Sequence, residues 1–144
     1  MVRRSEDEDK EDANVTTQPS AAAIQGIVQI HLPVKSLAAA VPYYRDTLGL
    51  PLMFETNGMA FFNVGGIRLM IGEIRAADQK PGSSVVYFTV ADVRKAGAEL
   101  EHKGVAFVGP VETINRTATH DLLLRIFKDP DGNHLALMGE TPRT

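Results

Sequence analysis

The sequence predicts an α+β fold: two tandem βαβββ modules forming curved mixed sheets around a central cavity, with helices outside. Two observations carry this. The order strand, helix, three strands is written twice, and Asn-Gly or Gly-Gly pairs divide the strands of the first copy. Aligning Val34 with Val90 puts Leu37 on Val93 and brings Gly49 within one residue of Gly104. One such module is too small to bury both faces of its sheet, so two must share a core and leave a concave surface suited to ligands.

The first copy opens with the strand "IQGIVQIHLPV". A helix from Ser36 to Thr47 follows, with Ser36 as N-cap and Gly49 as its stop. Leu37, Val41, Tyr44 and Leu48 recur at three- and four-residue spacing and form its apolar stripe. Pro42 falls inside that helix, where it removes a backbone donor and disturbs the early boundary. Three strands come next, "LPLMFET", "MAFFNVG" and "IRLMIGE". Beyond the linker "IRAADQKPGS", the strand "SVVYFTV" leads to Asp92 as cap of a helix over 93–103, closed by Gly104. "VAFVG", a looser stretch from Val111 to Thr119, and the strands "DLLLRIF" and "HLALMGE" complete the second copy. Module one thus spans about 24–74, the linker about 75–83 and module two about 84–140, within a single domain over 23–144.

Composition narrows the function classes. A chain of 144 residues, 44% hydrophobic, is one domain with material for a core. It has no cysteine, which excludes disulfides, thiolate metal sites and cysteine nucleophiles. Six acids and three bases in the first twelve residues account for the whole formal charge of −3, leaving twelve acids and twelve bases elsewhere. The leader over 1–22 is therefore expected to be disordered, and the folded part lacks the basic excess of a nucleic-acid-binding surface. No run reads as a signal peptide or a membrane span, so the expectation is a cytoplasmic protein with no membrane partner. Neither a P-loop nor a GxGxxG motif occurs, and no spacing supports a Ser-His-Asp arrangement.

The turn in "FKDPDGNHLALM" allows two readings. Asp129, Asp131, Asn133 and Glu140 match calcium-loop positions, but the place that needs glycine holds His134 and no helix enters the loop. A hairpin turn built on Pro130 and Gly132 satisfies the same residues, with both aspartates as turn formers.

"VPYYRDTLGLPLMFE", "FFNVGGIRLMIGE" and "FKDPDGNHLALM", with the duplication, resemble the vicinal oxygen chelate superfamily, the glyoxalase, bleomycin-resistance and extradiol-dioxygenase group. The resemblance covers 24–140 and is greatest to small glyoxalase-like proteins. It implies a homodimer and, in the enzymes, a divalent metal that polarises adjacent substrate oxygens. Carrying the ligand positions over gives Gln29, Leu69, Val85 and Ala136; only glutamine can ligate. The usual metal site is thus expected to be absent, and with it the usual glyoxalase and iron-dependent dioxygenase chemistry. A relocated set, Gln29, His31, Glu73 and His120, is chemically suited to a transition metal.

Parity supplies the other candidates. Gln29 and His31 share one face of the first strand. His120 stands at the start of a long strand, where the resemblance places the pocket mouth. Phe62, Met70, Phe88, Arg125 and Met138 are candidate ligand contacts, Arg125 because a strand guanidinium needs an acceptor that a bound anion would supply. These residues suggest a protein that holds a small oxygenated or aromatic metabolite between its modules. If it is catalytic, lyase or isomerase chemistry fits, with His31 or His120 moving a proton and Gln29 orienting an oxygen. The alternatives are metal-free binding or sequestration of bleomycin-resistance type, and a metal-dependent enzyme using the relocated site.

Overall fold

The computed structural model describes residues 23–77, 79–82 and 84–143; the acidic leader lies outside them. Module one consists of β1 (Gln29–Val34), α1 (Leu37–Pro42), β2 (Leu52–Thr56), β3 (Met59–Val64) and β4 (Ile67–Glu73). Its strands lie in the order β1-β4-β3-β2, with β1 parallel to β4 and the other pairs antiparallel. Module two consists of β5 (Val85–Thr89), α2 (Val93–His102), β6 (Ala106–Phe107), β7 (Glu112–Arg116), β8 (His120–Lys128) and β9 (His134–Pro142). Its sheet runs β5-β9-β8-β6, with β7 also paired to β8 and β5 parallel to β9. The tight hairpin between β2 and β3 is turned by Asn57 and Gly58, at φ +49° and +76°, the left-handed pair such a turn requires.

Period-two alternation decides which face of each sheet is covered. In β1, Leu32 and Val34 are buried with Leu69 and Ile71 of β4 and Phe62 of β3, and Tyr44 packs with them. Each such side chain contributes roughly 1.5–3 kcal/mol on burial, so these helix-facing rows fix the register.

Four local expectations change. The helix expected over 36–47 ends at Pro42, and Tyr43–Thr47 form a π-helical turn in which Leu48 N donates to Tyr43 O at 2.9 Å. Proline has no N–H to continue the ladder, and the wider turn restores pairing beyond it. Ser36 has the extended backbone of an N-cap but no capping side-chain bond; instead Leu37 N donates to Glu73 Oε2 at 3.0 Å. The stretch read as loose contains β7, whose five residues are all exposed, so no buried row announced it. "VAFVG", conversely, yields only the two-residue β6.

The acidic turn after β8 joins the modules. Asp129 Oδ1 accepts from Asp131 N and Asn133 N at 2.9 and 2.8 Å, closing the turn. Its Oδ2 accepts from Tyr44 Oη at 2.6 Å and from Asn133 Nδ2 at 2.8 Å. Asn133 Nδ2 also donates to Pro33 O, and Lys35 N donates to Asp131 Oδ1. The turn therefore reverses the chain and clasps module one. Asp129 and Asn133 are buried, and their polar atoms demand such partners.

Candidate functional site

The face of the first sheet opposite α1 carries a continuous polar and aromatic strip. Register places Gln29 beside Arg68 and His31 beside Met70, while Phe61 stands beside Met70 and Phe54 beside Phe61. Paired residues in a ladder point the same way, so all six share one face. Arg68 Nε donates to Gln29 Oε1 at 3.0 Å, and Gln29 Nε2 lies 3.8 Å from Met70 Sδ. The Arg68 guanidinium carbon is 5.8 Å from the centre of the Phe61 ring, which stacks on Phe54 at 4.6 Å. Phe54 is 47% exposed. Among the described residues Arg68 has no carboxylate partner. A half-buried guanidinium with one neutral acceptor and an aromatic shelf is built to take an anion.

His31 completes the strip. Its ring lies against Gly72, where an ideal Cβ would stand 2.8 Å from His31 Nε2 and 3.5 Å from Met70 Cε. Glycine at that position gives the imidazole room to lie over the strand. His31, Gln29 and Arg68 thus offer donors and acceptors on one surface.

The remaining candidates are placed elsewhere. His120 starts β8, its Nδ1 2.9 Å from Thr119 Oγ1 and its N donating to Thr117 Oγ1, inside the tight β7–β8 turn. Glu73 ends β4 and is engaged at the start of α1. Arg125 lies on the α2 side of its sheet: Nε donates to Gly109 O at 2.9 Å, Nη2 reaches Glu101 Oε2 at 3.3 Å, and the guanidinium stacks 4.0 Å over Phe107. Its acceptors come from the protein, so no anion is needed to explain it. Phe62 is fully buried in the core. Met138, beside Thr89 and Leu124, is half-buried in the second sheet. Arg68 is absent from the site residues selected from the sequence; the signal was its position beside Gln29, visible only once β1 and β4 were set in register.

A cavity of about 630 Å³ opens between the modules on their helix-bearing faces. Of the candidate contacts only Phe88 lines it, together with Leu69. Ile30, between Gln29 and His31, also lines it, and alternation turns those two neighbours to the opposite face. The expectation that Gln29 and His31 face the space between the modules of this chain gives way to two separate surfaces, because the cavity follows the helix-facing rows.

The side chains present do not fit a divalent metal. Leu69, Val85 and Ala136 have no donor atoms, and Leu69 points to the helix side. Of the relocated set, Glu73 is bonded to the helix backbone and His120 to its own turn. Among the described residues no group of three or more His, Cys, Asp or Glu is gathered to hold an ion.

Near the clasp, burial and then the neighbouring Asp129 carboxylate push the Tyr44 phenol far above its ordinary pKa, and Tyr43 shifts upward for the same reasons. These phenols are structural donors. No helix among the described residues is long and apolar enough to cross a membrane.

Known proteins agree with this architecture. The chain is 35% identical over 72 residues to Metallothiol transferase FosB of Staphylococcus haemolyticus, covering 48% of this chain and 52% of that protein. FosB of Staphylococcus epidermidis matches to the same extent. The chain therefore spans about half the length of the curated relatives it matches. Among solved structures, a glyoxalase/bleomycin resistance protein/dioxygenase superfamily member from Sphaerobacter thermophilus superposes with a TM-score of 0.68 at 22% identity, covering 81% of this chain and 98% of that one. Lactoylglutathione lyase from Agrobacterium tumefaciens superposes with a TM-score of 0.62 at 23% identity, covering 81% and 95%. At these identities the likeness is one of fold. The family model of the Glyoxalase/Bleomycin resistance protein/Dioxygenase superfamily matches residues 26–137, and with two tandem modules of this topology the chain belongs to that superfamily.

Proposed function

We propose that this protein binds a small aromatic carboxylate, with or without a second oxygen beside it, on the face of the first sheet opposite α1. The observation that carries the reading is Arg68: a guanidinium on a sheet face, flanked by Phe61 and held, among the described residues, by the Gln29 amide alone. The carboxylate pairs with Arg68, the ring lies on Phe61 and Phe54, and Gln29 and His31 bond the remaining oxygen. Superfamily relatives whose names give an activity, a transferase and a lyase, support small-molecule chemistry at the coarse level. If the bound molecule is turned over, His31 is the group placed to move a proton, and lyase or isomerase chemistry follows.

A second copy of the chain covers this face in a homodimer. The half-exposed Phe54, at 47%, is a large apolar group on this face that water solvates poorly. A cytoplasmic setting suits a chain without cysteine.

Calorimetric titration with salicylate and benzoate tests the reading. The expected result is saturable binding that Arg68→Ala weakens by about tenfold or more and Arg68→Lys only partly restores, since lysine lacks the planar fork. Binding indifferent to Arg68→Ala would refute it.

A further inference from the structure

We infer that the cavity between the helix-bearing faces is a second binding site, for an amphipathic carboxylic acid with an extended apolar body. Its volume, about 630 Å³, lies in the range of sites that enclose organic ligands. Its walls are mostly aliphatic and aromatic, with Ile30 and Leu69 from one sheet, Phe88 and Leu137 from the other and Leu100 from α2, while Thr47, Tyr87 and Thr89 add a few polar groups. The apolar side chains dominate this lining, so the body of the occupant is mainly apolar.

The head group is set at the rim. Lys103 lines the opening, is exposed, and reaches from the end of α2 to Thr47 O of module one at 3.5 Å. That contact is at the limit of a hydrogen bond, and among the described residues Lys103 has no carboxylate partner. Glu99, one turn earlier on α2, lines the same rim without pairing to it. An incoming carboxylate therefore finds an available ammonium and an opposing acid. Lysine is the attractive member of this pair and Glu99 sets an upper limit on the affinity.

The site is separate from the Arg68 face, which lies on the other side of β1. The test uses 1-anilinonaphthalene-8-sulfonate as fluorescent probe and decanoate as competitor, with the full chain folded by circular dichroism. The expected result is probe fluorescence displaced by decanoate about tenfold more effectively than by decanol, which has the same chain without the charge. Lys103→Gln should abolish that preference, Glu99→Gln should strengthen it, and Arg68→Ala should leave it unchanged. Ala96→Trp, which fills the cavity, should remove probe binding. If that variant fails to fold, the two rim variants decide the matter. No probe binding, equal displacement by decanol, or loss of binding in Arg68→Ala would each overturn the inference.

Discussion

Tyr44 shows how one side chain links two modules and a pH range. Its hydroxyl donates to a buried carboxylate 85 positions away. Tyr44→Phe should lower stability by about 1.5–3 kcal/mol, the range for a hydrogen bond to a charged group, measured by urea denaturation at pH 7. The pH dependence has a definite sign. Tyr43 and Tyr44 are raised in the folded state by burial and then by Asp129, so the folded protein keeps protons that the unfolded chain loses. Their contribution is fully present below about pH 10, the ordinary phenol value, and is lost as pH rises through the folded values. Thermal unfolding from pH 8 to 11 should show stability falling above about pH 10, with a shallower fall in Tyr44→Phe. Gly72→Ala gives a second residue-scale test: the new methyl displaces the His31 ring, a movable side chain, so affinity for salicylate should drop with little change in melting temperature. At this scale the sequence was partly readable. Alternation placed Gln29 with His31, because it needs only period two. Arg125 was misread because its acceptors, Gly109 and Glu101, lie 16 and 24 positions away.

At the scale of elements, the caps differ in how far they reach. Asp92 accepts from Lys95 N at 3.0 Å, a local bond that the sequence advertises. The cap of α1 comes from Glu73, which β4 delivers beside Val34. Glu73→Ala should cost about 1 kcal/mol, near the loss for an ordinary N-cap, and chemical denaturation would register it. If that change cost nothing, the capping assignment would fail. Strand β9 meets a harder limit at Gly139, where a Cβ would collide with the Val90 carbonyl, itself fixed because Val90 N donates to Met138 O. Gly139→Ala should cost about 3 kcal/mol or more, seen as a lowered denaturation midpoint or insoluble expression. Helices and buried strands were legible because their apolar spacing repeats. β7 was not, since every one of its residues is exposed and its place depends on the edge of β8.

For the whole molecule, the duplicated order of elements was visible in the sequence, whereas the direction of each face was not. The doubled pattern implies two sheets, but which rows meet between modules depends on the clasp at Asp129, Asp131 and Asn133. That contact turns the helix-bearing faces inward around the cavity and leaves the Arg68 strip outside it. Sedimentation velocity should accordingly give twice the 15.6 kDa chain mass, and Phe54→Glu should shift it toward the single-chain value. A protein that sediments as one chain at micromolar concentration would contradict the covered face.

An NMR titration with salicylate on 15N-labelled protein is the decisive test of an aromatic carboxylate on the Arg68 face. The expected result is saturable shifts centred on Gln29, His31, Phe61 and Arg68, all lost in Arg68→Ala. Shifts confined to residues 96–103 of α2 and its C-terminal end, or none at saturating salicylate, would contradict it.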